Sequence, residues 1–246
     1  QIETIAESVG EHVDGVVVPK VGRLEDVKAA ESAVAAASRE SGHDLGLSVI
    51  VESAAARSDL REIAAFGRES RLTALVFGPV DYTAELGGRE VGEPPTWPGL
   101  YEELSNEASA NDLLAIGGPF DRLFRERAGV TFYNGDAYAD HVEREARVGL
   151  DGSWALHPNQ TAQANRIHLP TTSELRTSVE KIEAFTEAKD TGTGAVAIGG
   201  QMVDEATLKN FQNTVETVRT VHEAHETQTR ERYDDDLLER ALAVAE

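Results

Sequence analysis

Short runs of β-branched and aliphatic residues alternate with longer stretches whose apolar positions recur every three or four residues, the pattern of βα units feeding a parallel sheet. Five such runs are visible: residues 15–19 (GVVVP), 47–52 (LSVIVE), 73–78 (TALVFG), 113–117 (LLAIG) and 153–157 (SWALH). Between the first two, Leu24, Val27, Ala30, Ala33, Val34 and Ala37 mark a helix, and between the next two, residues 54–66 do the same through Leu60, Ile63 and Ala64. Strands apolar on both faces fit a closed barrel or a doubly wound sheet, and periodicity does not separate them.

Ile2, Ile5 and Val9 form a short helical stripe leading straight into the first strand, in a chain that opens on Gln1. Five strands do not close a barrel of eight, so three strands are expected upstream of this sequence. After His157 the character changes. Thr171 and Glu174 have capping-box spacing and start a helix expected to run to about Lys189. A glycine-rich break at 191–200 follows, then a long polar helix after Asp204, then a last helix over 233–245 with Leu237, Leu238, Ala241 and Leu242 on one face. The expected organisation is a barrel portion over 1–168 and a helical extension over 169–246.

The 246 residues, 40% of them apolar, are enough for one sizeable core. Acidic residues number 44 against 23 basic, a formal charge of -21 spread along the whole length, which disfavours nucleic acid as a partner. Lys occurs only at positions 20, 28, 181, 189 and 209, and this composition suits a halophilic protein in a high-salt cytoplasm, where an acidic surface preserves solubility despite screening. The absence of Cys removes disulfides, thiolate metal sites and thiol nucleophiles, leaving oxygen or imidazole to hold any metal. No apolar run approaches the roughly 20 residues needed to cross a bilayer, and the first residues show no signal pattern; a cytoplasmic location is expected.

Glu52 ends a buried strand, and Asp81 lies three residues beyond Gly78 at the end of the next one. Functional groups of α/β barrels gather at the C-terminal strand ends, where two carboxylates from neighbouring strands can share a hard cation. Magnesium suits this, because it takes one or two carboxylates and completes its shell with water and substrate oxygens. Each acid could instead cap the helix that follows it.

The blocks GVVVPKVGRLEDV, IVESAAA, FGPVDYTAELGG, LHPNQTAQAN and GAVAIGGQMVDEA resemble, in order and over nearly the whole chain, those of the HpcH/HpaI aldolase/citrate lyase superfamily, and within it the citrate lyase beta and malyl-CoA lyase branch. The resemblance implies a (β/α)₈ TIM barrel, with the visible strands as its fourth to eighth, and a C-terminal helical lid. It implies Mg²⁺, replaceable by Mn²⁺, on Glu52 and Asp81, and Asp204 as a proton-transferring residue lent to a neighbouring subunit of a trimer or hexamer. Asp204 also reads as the N-cap of the helix beginning at Glu205. Gly78, Pro79, Val80, His157 and Pro158 fall on substrate-binding positions; Lys20, just past the first strand, could face either acyl-CoA phosphate or a barrel carboxylate, and Trp97 reads as packing. The implied reaction is carbon–carbon cleavage or formation at a 2-hydroxyacyl-CoA thioester, such as malyl-CoA or β-methylmalyl-CoA, giving glyoxylate with acetyl-CoA or propionyl-CoA. A malate synthase-like enzyme with added thioester hydrolysis and a citryl-CoA lyase are the alternatives within the family. The rival of another class is a non-catalytic barrel fragment or interaction module, because the family's substrate-binding Arg and a further acidic pair find no match before Gly10.

Overall fold

The computed structural model describes residues 2–88, 97–190, 195–198 and 200–245. Two compact units result, Gln1–His168 and Leu169–Glu246.

The strands are β1 (Gly15–Val18), β2 (Gly46–Val51), β3 (Leu72–Phe77), β4 (Leu114–Gly117), β5 (Phe124–Arg127), β6 (Val130–Tyr133), β7 (Gly152–Ser153), β8 (Ala195–Ile198) and β9 (Gln201–Asp204). In the first unit β1-β2-β3-β4-β7 form one parallel sheet whose spatial order follows chain order. A doubly wound sheet reverses direction at a switch point; this one does not, and it is the arc of a barrel, open among the described residues. Helices α1 (Ile2–Val9), α2 (Leu24–Ser41), α3 (Ala54–Ser58), α4 (Leu60–Phe66), α5 (Pro79–Glu85), α6 (Pro98–Ser109), α7 (Gly135–Arg147) and α8 (Pro158–His168) complete the unit.

Register explains the core. Val49, Leu75 and Ala115 share a row and are buried under the helices with Val27, Val34, Leu60, Ile63 and Leu104. The opposite face carries the row Val17, Ser48, Ala74 and Leu114, of which Val17 and Leu114 remain more than half exposed, at 55% and 52%. Helix α2 continues past Ala37, the last apolar position that marked it, to Ser41 and stops at Gly42, whose φ of 75° is a left-handed C-cap that favours glycine. The stretch expected as one helix over 54–66 breaks at Asp59, whose carboxylate accepts from Arg23 Nη1 at 2.6 Å and from Leu24 N at 3.3 Å. The last sheet strand is two residues long, so Ala155, Leu156 and His157 lie beyond it.

The second unit contains α9 (Thr172–Asp190), α10 (Glu205–Ala224), α11 (Glu226–Arg232) and α12 (Asp235–Val244), with β8 and β9 as an antiparallel hairpin. Leu175, Val179, Ile182, Val215, Val218, Leu237 and Leu238 form its own core. The capping box at the start of α9 is present, with Glu174 N donating to Thr171 Oγ1 at 3.2 Å and Thr171 N donating to Glu174 Oε2 at 2.7 Å. Of the glycine-rich break at 191–200, residues 191–194 and 199 lie outside the described residues; the hairpin occupies the rest.

Candidate active site

Glu52 follows β2 directly and is only 7% exposed. The helix-cap role is taken by its neighbour: Ser53 Oγ accepts from Ala56 N at 2.9 Å and donates to Val21 O at 3.3 Å. Glu52 is thereby left to point elsewhere, and its Oε1 accepts the backbone N–H of Lys20 at 2.7 Å. Close packing explains the glycine opposite. A Cβ on Gly78 would lie 2.5 Å from Glu52 Cβ and 2.8 Å from Glu52 Oε2.

Asp81 sits in the first turn of α5, behind the N-terminal Pro79. The Lys20 ammonium lies 2.6 Å from Asp81 Oδ1 and 3.9 Å from Glu52 Oε1, so one cation occupies the place where carboxylates from two adjacent strand ends converge. The hydrogen bond from Lys20 holds the Asp81 carboxyl below its usual range, and the same bond raises the Lys20 ammonium. Lys20 itself has φ 61°, a left-handed conformation unusual for a residue with a side chain. That conformation accompanies the donation of its backbone N–H and its ammonium to the same carboxylate pair.

This donor set fits a hard divalent ion. Two carboxylates pointing at one positive charge match magnesium, which takes its remaining ligands from water and substrate. Among the described residues no group of three or more His, Cys, Asp or Glu side chains is arranged as a metal cage.

His157 lies four residues beyond Ser153, between β7 and α8. Its Nδ1 accepts from Asn159 N at 3.1 Å, a local bond at the start of the helix, and its ring packs 5.4 Å from Tyr133 and 6.3 Å from Phe124. With Ala155, Leu156, Pro158, Thr161, Ala162 and Asn165 it lines an open hollow of about 580 Å³. Neither Glu52, Asp81 nor Lys20 lines that hollow, so the carboxylate pair and the His157 surface are two separate features of the C-terminal rim. Of the other expected substrate contacts, Gly78 is buried, Pro79 half-buried and Val80 exposed. Trp97 packs edge-on to Tyr82, ring centroids 5.1 Å apart.

Asp204 caps α10: its Oδ1 accepts from Thr207 N at 2.8 Å and from Thr207 Oγ1 at 2.9 Å. The backbone bond from Thr207, followed by the side-chain bond, lowers its pKa, leaving it ionised at neutral pH.

Two features were not visible in the sequence. One is the β5–β6 hairpin, whose residues break the βα alternation. The other is Glu145 of α7, fully buried although EREAR reads as a solvent face. Its Oε2 accepts from Ser153 Oγ, which is 2.9 Å from His168 Nε2, and its Oε1 lies 3.0 Å from His141 Nε2. His141 Nε2 is also 3.2 Å from the Gly118 carbonyl. Burial lowers the pKa of His168.

The fold and site together define a barrel-type α/β protein with two carboxylates, Glu52 and Asp81, gathered around the Lys20 ammonium at the C-terminal ends of neighbouring strands. Residues 2–158 match the HpcH/HpaI aldolase/citrate lyase family, and the chain belongs to this family of carbon–carbon lyases. The L-malyl-CoA/β-methylmalyl-CoA lyase of Haloarcula marismortui is 60% identical over 245 residues, 98% of this chain and 71% of the relative. A citrate lyase from Burkholderia xenovorans superposes with a TM-score of 0.70 at 17% identity, over 89% of this chain and 68% of that one, a likeness of fold. The magnesium/glyoxylate complex of Haloferax volcanii malate synthase gives a TM-score of 0.56 at 26% identity, over 94% of this chain and 68% of the other.

Proposed function

We propose that this chain catalyses carbon–carbon cleavage of a 2-hydroxyacyl-CoA thioester, malyl-CoA or β-methylmalyl-CoA, to glyoxylate and acetyl-CoA or propionyl-CoA, and the reverse condensation. The observation that carries the reading is the convergence of Glu52 and Asp81 on one cation at the rim of the sheet. The 60% identity to the Haloarcula lyase supports the choice of substrate.

Glu52 and Asp81 would hold Mg²⁺, with Mn²⁺ as a substitute, and Lys20 would move its ammonium aside while its backbone N–H keeps Glu52 oriented. When bound, the ion supplies Lewis-acid chemistry toward the carboxylate and 2-oxygen of the substrate. In cleavage the hydroxyl gives up its proton, the bond between the carbinol carbon and the thioester α-carbon breaks, and its electron pair passes into a thioester enolate. A proton returned to the α-carbon completes acetyl-CoA or propionyl-CoA. Asp204 is the group proposed to move that proton, from the lid of a neighbouring subunit in a cytoplasmic trimer or hexamer. In the reverse, condensing direction the same carboxylate would take a proton from the acyl-CoA α-carbon. Gly78, Pro79 and Val80 would border the reacting group, and His157 and Pro158 would line the approach.

The test is to incubate the protein with malyl-CoA, β-methylmalyl-CoA and citryl-CoA in molar KCl with Mg²⁺ and measure release of the 2-oxo acid, glyoxylate from the first two and oxaloacetate from the third. Glyoxylate from the first two is the expected result. Cleavage of citryl-CoA alone, or of none, defeats the reading. Mixed, co-refolded Asp204→Ala and Glu52→Ala chains should recover activity if the lid is exchanged between subunits.

A further inference from the structure

Glu52 and Asp81 stand on different elements, and the Lys20 ammonium joins them by touching both. That link is lost if the ammonium gives way to a metal ion. A second link joins the same two elements without using either carboxylate. Arg57, on α3, donates from Nη1 to the Tyr82 hydroxyl on α5 at 2.9 Å. Its Nε donates to Glu103 Oε2 on α6, also at 2.9 Å.

The placement of these two residues in the chain gives the bond its meaning. Helix α3 begins two residues after Glu52, and Ser53 between them caps it, so Arg57 is tied to the end of β2 that carries Glu52. Tyr82 directly follows Asp81, and successive residues on a helix point about 100° apart. Asp81 is thus turned outward to Lys20, and Tyr82 inward, where it is 2% exposed. The Tyr82 ring is held edge-on to Phe77 at 5.8 Å and to Trp97 at 5.1 Å, which fixes where its hydroxyl can reach. Glu103 aims the guanidinium in turn, and a planar fork held by two partners is stiffer than a single ammonium on a flexible stem. A water or a backbone carbonyl would be enough to satisfy a buried hydroxyl. Here the partner is a charged side chain from the element that follows the other carboxylate.

We infer that Arg57 and Tyr82 are positioning residues, a strut between α3 and α5 that holds Glu52 and Asp81 at the spacing at which they share one divalent ion. The inference rests on the metal reading above and adds what keeps the pair in place once Lys20 has moved aside. Neither residue is assigned a contact with the ion or with substrate.

Tyr82→Phe removes the hydroxyl and keeps the ring, and Arg57→Met removes the donor and keeps an aliphatic stem. These two and the double variant are compared with wild type in the full chain by two readouts. One is Mn²⁺ binding, followed by the paramagnetic resonance of the free ion; the other is amide exchange in the metal-free protein. Each single variant should weaken Mn²⁺ binding about tenfold, the scale for groups that orient metal ligands. The double variant should also lose about tenfold and not about a hundredfold, because both changes break one bond. Exchange should quicken at the Tyr82 and Leu86 amides, which donate to the carbonyls of Gly78 and Tyr82, and stay unchanged at Val49 and Leu75 in the sheet. Arg61→Ala removes the same charge and breaks the pair with Glu107 between α4 and α6; it should match wild type in both readouts. Unchanged Mn²⁺ binding and exchange in Tyr82→Phe overturn the inference even if Tm falls, and assign the pair to packing alone. Losses that multiply in the double variant also overturn it, because the two residues then act separately. A wild type that binds no Mn²⁺, with exchange in α5 still quickened by Tyr82→Phe, removes the metal reading and leaves the strut standing.

Discussion

Gly78→Ala is the most incisive single perturbation of the strand-end site. The added Cβ would stand 2.5 Å from Glu52 Cβ, 2.8 Å from Glu52 Oε2 and 2.9 Å from Ile50 Cγ2, where ordinary contact is 3.4–4 Å. Glu52 is buried and fixed by the Lys20 N–H, so the overlap must be relieved by moving the carboxylate or the end of β3. Overpacking of this kind costs about 1–3 kcal/mol, which lowers Tm by about 2–4 °C per kcal/mol in a unit of this size. Displacing a residue that orients a metal ligand typically costs about 10–100-fold in metal affinity or activity. The assay is half-saturating Mg²⁺ for glyoxylate release, with Tm measured in parallel. Gly99→Ala provides the control, because nothing lies within 4 Å of its Cβ position in α6; it should hold or raise Tm. If Gly78→Ala matches wild type in both Tm and half-saturating Mg²⁺, the packing of Gly78 against Glu52 is irrelevant to the site.

Asp204→Asn keeps a capping oxygen but cannot take a proton, so activity should fall at least about 100-fold with Tm unchanged; equal loss of both would make Asp204 a cap alone. The depressed pKa values of Glu174 and Asp204 place their stabilisation above the unfolded carboxylate values of 4.5 and 3.8, to be lost as pH falls through the lower folded values. Amide protection in the first turns of α9 and α10 should therefore be level above pH ~5 and decline below ~4; a decline beginning near neutrality contradicts it. Glu145→Ala leaves Ser153 and His141 facing a void and should cost about 3–5 kcal/mol, read as a fall in Tm. With a net charge of -21, Tm should climb from low to molar KCl; a flat curve refutes self-repulsion as the governing term.

Much of this molecule is legible in its residues because a buried parallel strand has little choice of composition. GLSVIV and LTALVF read as strands and are strands, and their ends locate Glu52 and Asp81. What periodicity left open, barrel arc against doubly wound sheet, depended on strand neighbours, which only the topology supplies. The hairpin escaped because FRER and VTFY are exposed and mixed in character, without a core face to impose alternation. Glu145 escaped for the opposite reason: its partners Ser153, His141 and His168 are brought to it by two helices and a strand that no local pattern connects. The cap at Asp204 was legible, whereas the left-handed backbone of Lys20 carries no sequence signal. Among the described residues no helix is long and apolar enough to cross a membrane.

The central claim is that Glu52 and Asp81 would hold the divalent ion on which carbon–carbon cleavage depends. Its most direct test is the product balance from malyl-CoA, glyoxylate against free CoA thiol, for wild type and Glu52→Gln with Mg²⁺ and with chelator. The account predicts glyoxylate without thiol from the wild type in Mg²⁺, and neither product from Glu52→Gln or after chelation. Thiol released without glyoxylate, or glyoxylate formed undiminished by Glu52→Gln, would contradict it.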